Sequence, residues 1–126
     1  MAYSENQATI SLTAAADLSG KQFRFVSVDS SGKAAAPSDG DKAIGVLQNK
    51  PAAGQAATIC ISGVSQVNAS AAIAAGAAVT CDGTSGNEGD GKTAVSADYR
   101  LGIALTAASA ADEVISVLVQ QNGLVA

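Results

Sequence analysis

Asp29–Leu47 reads DSSGKAAAPSDGDKAIGVL, and Asp82–Leu105 reads DGTSGNEGDGKTAVSADYRLGIAL. Both run from an Asp through a Gly-rich turn to Gly-Lys, then a short strand, a second Asp, and an aliphatic-Gly-aliphatic strand. Asp29 aligns with Asp82, Gly32-Lys33 with Gly91-Lys92, Asp39 with Asp98, and Ile44-Gly45-Val46 with Leu101-Gly102-Ile103. Each copy continues through an Ala-rich turn, Ala52 to Ala57 or Ala107 to Ala111, into a further aliphatic strand. Two hairpin-rich halves that each lack a full core bury their apolar faces together, which predicts a pseudo-twofold barrel or sandwich.

Outward from this repeat, branched residues cluster in short runs bounded by Gly, Pro, Asp and Ser, the punctuation of strands and turns. The spacing predicts strands near Ala8 to Thr13, Gln22 to Val28, Ala43 to Gln48, Ala56 to Val67, Ala77 to Cys81, Lys92 to Ser96, Tyr99 to Thr106 and Glu113 to Gln121. In Gln22 to Val28 the apolar phase changes, so a bulge or a two-sided strand is expected, and Gly63 marks an irregularity in a long strand. Thr13 to Asp17, Ala69 to Ala75 and Thr106 to Ala111 are rich enough in alanine to form single helical turns. Glu113 to Gln121 is apolar on both faces and reads as a central or covered strand.

The expected fold is therefore mainly β: one small β-barrel, β-tulip-like or sandwich domain over residues 13–126, with pseudo-repeats at about 22–67 and 77–121. Residues 1–12 are read as an extended N-terminal arm. The arm begins polar and then alternates, with Ile10 and Leu12 on one face, and such a segment can add a strand to a partner sheet. Tyr3 belongs with them, because the chain has only four aromatic residues and aromatics anchor interfaces. An ordinary first strand with a frayed start is the competing reading.

Composition limits what such a domain can do. Of 60 hydrophobic residues 28 are alanine, and Val, Ile, Leu and Phe together number 27, so the core is thin. Burial of side chains worth about 1.5–3 kcal/mol each is nearly cancelled by chain entropy at this size, and self-association would supply further burial. The balance of 7 basic and 11 acidic residues argues against a nucleic-acid partner, which needs a basic patch. The most apolar run, Ala69 to Val79, is mostly alanine and glycine and is no membrane span. Met1 to Ile10 lacks the pattern of a secretory signal, so synthesis and retention in a cytoplasm are expected.

Histidine is absent, which removes the commonest general base and the commonest neutral metal ligand. Asp82, Glu88 and Asp90 place three carboxylates in one Gly-rich loop, a pattern that invites calcium. The EF-hand spacing is not met, so the loop is read as a solvated hairpin connection, and no metal, cofactor or catalytic residue is expected. The segment Gly86 to Gly91 fails the P-loop pattern, and no G-x-S-x-G elbow exists. Cys60 and Cys81 read as small buried hydrophobes, with a disulfide the alternative.

The repeat and several short segments resemble the small β-rich capsid-decoration (cement) proteins of tailed bacteriophages. The residues are Asp39 to Val46 (DGDKAIGV), Pro51 to Gly54 (PAAG) with the following strand Ala56 to Gly63, Ala74 to Val79 leading into Asp82, and Arg100 to Ala104 (RLGIA). The resemblance covers roughly Gln22 to Gln121. It implies a homotrimer on the exterior of the expanded capsid, bound across major capsid protein subunits and stabilising the shell without chemistry. A head-fibre base or other virion accessory protein, and a small ligand- or metal-binding β-barrel, are the alternatives.

Overall fold

The computed structural model describes residues 2–121, 123 and 125. Among the described residues nine strands form one antiparallel sheet: β1 (Glu5–Thr13), β2 (Phe25–Val28), β3 (Ala34–Ala35), β4 (Gly45–Leu47), β5 (Ala56–Asn68), β6 (Ala78–Cys81), β7 (Gly91–Thr93), β8 (Gly102–Ala104) and β9 (Val114–Val119). The hydrogen-bonded order is β3-β2-β4-β5-β9-β8-β6-β7, with β1 on β5 off this path. The sheet curls into a half-barrel, so the mainly β, barrel-like class expected from the sequence is the one observed.

That order reads the same way from either end: β2 pairs β3 and β4, and β4 pairs β5, just as β6 pairs β7 and β8, and β8 pairs β9. Gly45 sits opposite Val26, and Gly102 opposite Val79. Val46 joins Phe25 to Cys60, as Ile103 joins Ala78 to Leu118. Lys92 lies opposite Thr80 and Ala35 opposite Ser27, so Ala35 rather than Lys33 holds the register position of Lys92.

β5 is the spine of the molecule. Cys60 pairs with both Thr9 and Val46, and Val64 with both Glu5 and Leu118. A strand residue has one neighbour on each edge, so β1 occupies one edge of β5 while β4 and β9 share the other. The β1–β5 register shifts between Glu5 and Thr9, where Asn6 (φ 48°) faces Gly63 (φ 99°). The irregularity expected at Gly63 is this bulge, and the strand runs through it.

Two clusters form the core. The larger gathers Phe25, Val46 and Cys60 from the first half with Val67, Val79, Cys81, Leu101, Ile115 and Val117. The smaller packs Val26, Leu47 and Ile59 under Ala14 and Leu18, with Leu12 at its margin. Phe25 and Val26 are both buried and enter different clusters, so β2 is the two-sided strand that its phase change implied.

The sequence reading differs from the structure in the alanine-rich stretches and in strand lengths. No helix occurs among the described residues; the three alanine-rich stretches are bends and turns. They are too short to nucleate a helix, and their small side chains allow bridges such as Ala14 to Ala34 and Ile73 to Ala108. β3 is the short strand that the repeat places after Gly32-Lys33, although its two alanines carry no periodic signal. The strands expected at Ala43 to Gln48, Lys92 to Ser96 and Tyr99 to Thr106 are shorter, at three residues each.

Candidate docking surface

The N-terminal residues are laid on the sheet. The Tyr3 N–H donates to Ser116 Oγ at 2.6 Å, and that hydroxyl donates back to the Tyr3 carbonyl at 3.0 Å. Ser116 is buried beneath this contact, while Tyr3 stays 40% exposed. Beyond the bulge, Ile10 stands opposite Ile59 but is 39% exposed, because β1 is an edge strand with no neighbour outside it among the described residues. Leu12, opposite Ala57, turns inward against the smaller cluster. Of the three residues singled out in the sequence, Tyr3 and Ile10 are presented to solvent, and Leu12 is half committed to the core. Gln7 ties this strand to the sheet through Gln48 Oε1 and the Val64 carbonyl.

Other exposed apolar side chains carry no signal in one dimension: Ile61 beside the bulge, Val28, Val95, Leu105 and Val114. Their alternation looks like that of buried neighbours, and only the curl of the sheet decides which emerge. Val28 borders a pocket of about 280 Å³ with Ser27, Asp41, Lys42, Ile44 and Gln121.

The acidic loop is not the solvated connection that its composition implied. Asp90 is completely buried, with Oδ1 3.0 Å from Arg24 Nε and 3.0 Å from Asn68 Nδ2. Burial pushes its carboxyl up, against the opposing pull of the Asn68 bond and the Arg24 charge. Glu88 pairs with Lys21 at 3.1 Å, and its carboxyl is held down by its own backbone N–H and by the Lys21 bond. Asp82 accepts from the Thr84 N–H at 2.8 Å. Each carboxylate thus has its own partner, and no cluster of three metal-ligating side chains occurs among the described residues.

The loop instead joins the halves. Lys21–Glu88, Arg24–Asp90 and Asp39–Lys92 each link residues 21–39 to residues 88–92. Backbone bonds reinforce them: Phe25 N–H to Gly89 O at 2.7 Å, Gly40 N–H to Cys81 O at 2.9 Å, and Tyr99 N–H to Gly40 O at 3.0 Å. Cys60 and Cys81 are free and buried, and burial pushes the Cys81 thiol up to about 11. The surface offers apolar contact and strand edges, which are the means of protein association.

The family model for phage cement protein matches residues 3–121. No curated protein matches the chain. Among solved structures, the head fiber gp8.5 N base in bacteriophage phi29 shares the fold, with a TM-score of 0.70 at 13% identity over 96% of this chain and 100% of that one. The match across nearly the whole chain places this protein in the phage cement protein family, a family of structural phage proteins.

Proposed function

We propose that this protein decorates the outer surface of a phage capsid and stabilises it by binding across neighbouring major capsid protein subunits. The observation that carries the reading is the family match over residues 3–121. A protein that binds the assembled shell and not its dissociated subunits stabilises the shell by mass action, and repetition over many equivalent sites multiplies the effect. No catalytic step is involved. The chain is made in the host cytoplasm, acts on the virion exterior, and works as a homotrimer. Its N-terminal segment, with Tyr3 and Ile10 exposed and Leu12 anchored, is the contact we assign to the capsid protein.

Co-sedimentation with expanded capsids stripped of accessory proteins tests this, using the intact chain and a version lacking Ala2–Gln7. Saturable binding near one copy per capsid protein supports the cement reading, and its loss on truncation supports docking through the N-terminal segment. A second reading, the base of a head fibre, is favoured by the fold shared with the phi29 head fiber base. That reading predicts far fewer copies per particle, located at isolated positions.

A further inference from the structure

β9 carries a single polar residue, Ser116, in the run VISVLV. Side chains alternate along a strand, so Ile115, Val117 and Val119 enter the larger core cluster while Val114, Ser116 and Leu118 line the opposite face. On that face Val114 is 40% exposed and Leu118 is half-buried, yet Ser116 is fully buried. A hydroxyl withdrawn from water costs free energy unless it is hydrogen-bonded. An alanine in this apolar strand would avoid that cost, so the serine answers to something other than the packing of the sheet.

Both hydrogen bonds of that hydroxyl among the described residues run to Tyr3, whose N–H it accepts and whose carbonyl it meets as donor. One side chain thus satisfies both backbone groups of a residue 113 positions away, the service that a partner strand gives elsewhere in the sheet. The β1–β5 ladder begins only at Glu5, opposite Val64, and is broken at once by the bulge of Asn6 against Gly63. Ahead of Glu5 the two bonds to Ser116 are the ones that fasten the chain among the described residues. A chain end without such a tie frays. Ile10 is differently placed, because the regular part of the ladder holds it opposite Ile59.

We infer that Ser116 is the positioning residue of the docking segment: it fixes the Tyr3 main chain on β9, so that the aromatic ring meets the capsid protein from a preset place. The inference rests on the capsid contact proposed above for Tyr3, Ile10 and Leu12, and adds the residue that organises it. The clasp holds only main-chain groups, and the Tyr3 residue stays 40% exposed and available to a partner. A segment already ordered in the free protein loses little conformational freedom on docking, so more of the contact energy appears as affinity. Ser116 itself touches no partner in this scheme and acts through Tyr3 alone.

The test compares Ser116→Ala, which removes the hydroxyl, with Ser116→Thr, which keeps it. Thr106→Val is the structural control: the Ser116 N–H donates to Thr106 Oγ1 at 3.0 Å, so this change strips a bond from the same residue without touching Tyr3. The backbone NMR order parameter of Tyr3 reads the clasp, and co-sedimentation with stripped expanded capsids reads docking. The expected order parameter is about 0.85 in the wild type, Ser116→Thr and Thr106→Val, and below about 0.6 in Ser116→Ala. Capsid affinity is expected to fall roughly tenfold or more in Ser116→Ala alone. Should Ser116→Ala lose its β circular-dichroism signal, Ser116→Cys, a weaker donor and acceptor of similar shape, takes its place. An unchanged Tyr3 order parameter overturns the clasp, and a mobile Tyr3 with unchanged capsid affinity overturns its role in docking. An equal loss of affinity in Thr106→Val reduces Ser116 to a structural residue and overturns the inference. A wild type with an ordered Tyr3 that does not bind the capsid overturns the docking reading itself, and the role of Ser116 with it.

Discussion

Arg24 Nε lies 3.0 Å from Asp90 Oδ1, and the carboxylate it meets is completely buried. Arg24 precedes β2 in the first half and Asp90 precedes β7 in the second, so the pair closes the curled sheet across its ends. Asn68 reaches the same oxygen from the end of β5. The other carboxylate oxygen has no hydrogen-bond partner among the described residues, so the charge is balanced almost wholly from one side.

Removing Arg24 should therefore cost more than an ordinary surface change. Arg24→Met leaves a buried carboxylate facing only an amide, and a loss of about 3–5 kcal/mol is expected. Adding Asp90→Asn removes the stranded charge and should recover part of that loss. Urea unfolding of the two single variants and the double variant measures the coupling. Strict additivity would show that the pair does not close the sheet.

The Asp39–Lys92 pair behaves differently because it is largely exposed. The bond from Lys92 holds the Asp39 carboxyl below its ordinary 3.8, and the Gly83 N–H helps. Burial works against the Lys92 ammonium, yet the Asp39 bond raises it above its ordinary 10.5. A depressed carboxyl contributes stability that is present above its unfolded value and lost as pH falls through the folded one. A raised ammonium contributes stability that is present below its unfolded value and lost as pH rises through the folded one. The pair's contribution should be flat between about pH 4 and 10, decline at both ends, and stay within roughly 0.2–1 kcal/mol. Asp39→Asn should flatten the acid side of a melting-temperature profile slightly. A large drop at neutral pH would contradict the exposed geometry.

Much of this fold was readable before its structure because β5 and β9 are long runs of branched residues, and because Ile44-Gly45-Val46 and Leu101-Gly102-Ile103 share one pattern. The setting of the candidate docking residues was readable only in part. Ile10 and Leu12 share a face by alternation, but whether each is covered depends on Ala14 and Leu18 folding back, a contact with no local signature. Asp90 was misread for a related reason. In a run of Gly, Asn and acidic residues nothing marks which carboxylate will meet Arg24, 66 positions before Asp90. Val46 and Ile103 occupy matching registers, yet one is in the core and the other only half-buried, because packing of the halves rather than local pattern chooses the face.

Cys60 and Cys81 should be present as unreactive thiols. The thiolate is the species that reacts, and burial raises both thiols, with Cys81 at about 11. Native protein treated with iodoacetamide at pH 7.5 should show almost no labelling, and denatured protein should take up two labels. Fast native labelling of either cysteine would show that its cover opens readily.

Gly45 and Gly102 offer a direct check on the architecture. A β-carbon at Gly45 would press on the Cys60 carbonyl oxygen, and one at Gly102 on the Leu118 carbonyl oxygen. In both cases the obstacle is backbone of a neighbouring strand, which cannot rotate away as a side chain does. Gly45→Ala and Gly102→Ala should each cost about 1–3 kcal/mol or more, lowering Tm by on the order of 10 °C. Gly20→Ala meets nothing within 4 Å and should change stability by no more than about 0.5 kcal/mol. Thermal melts of the three variants decide the matter: if Gly45→Ala and Gly102→Ala melt with Gly20→Ala, β4 and β8 do not lie against β5 and β9 as closely as the sheet requires.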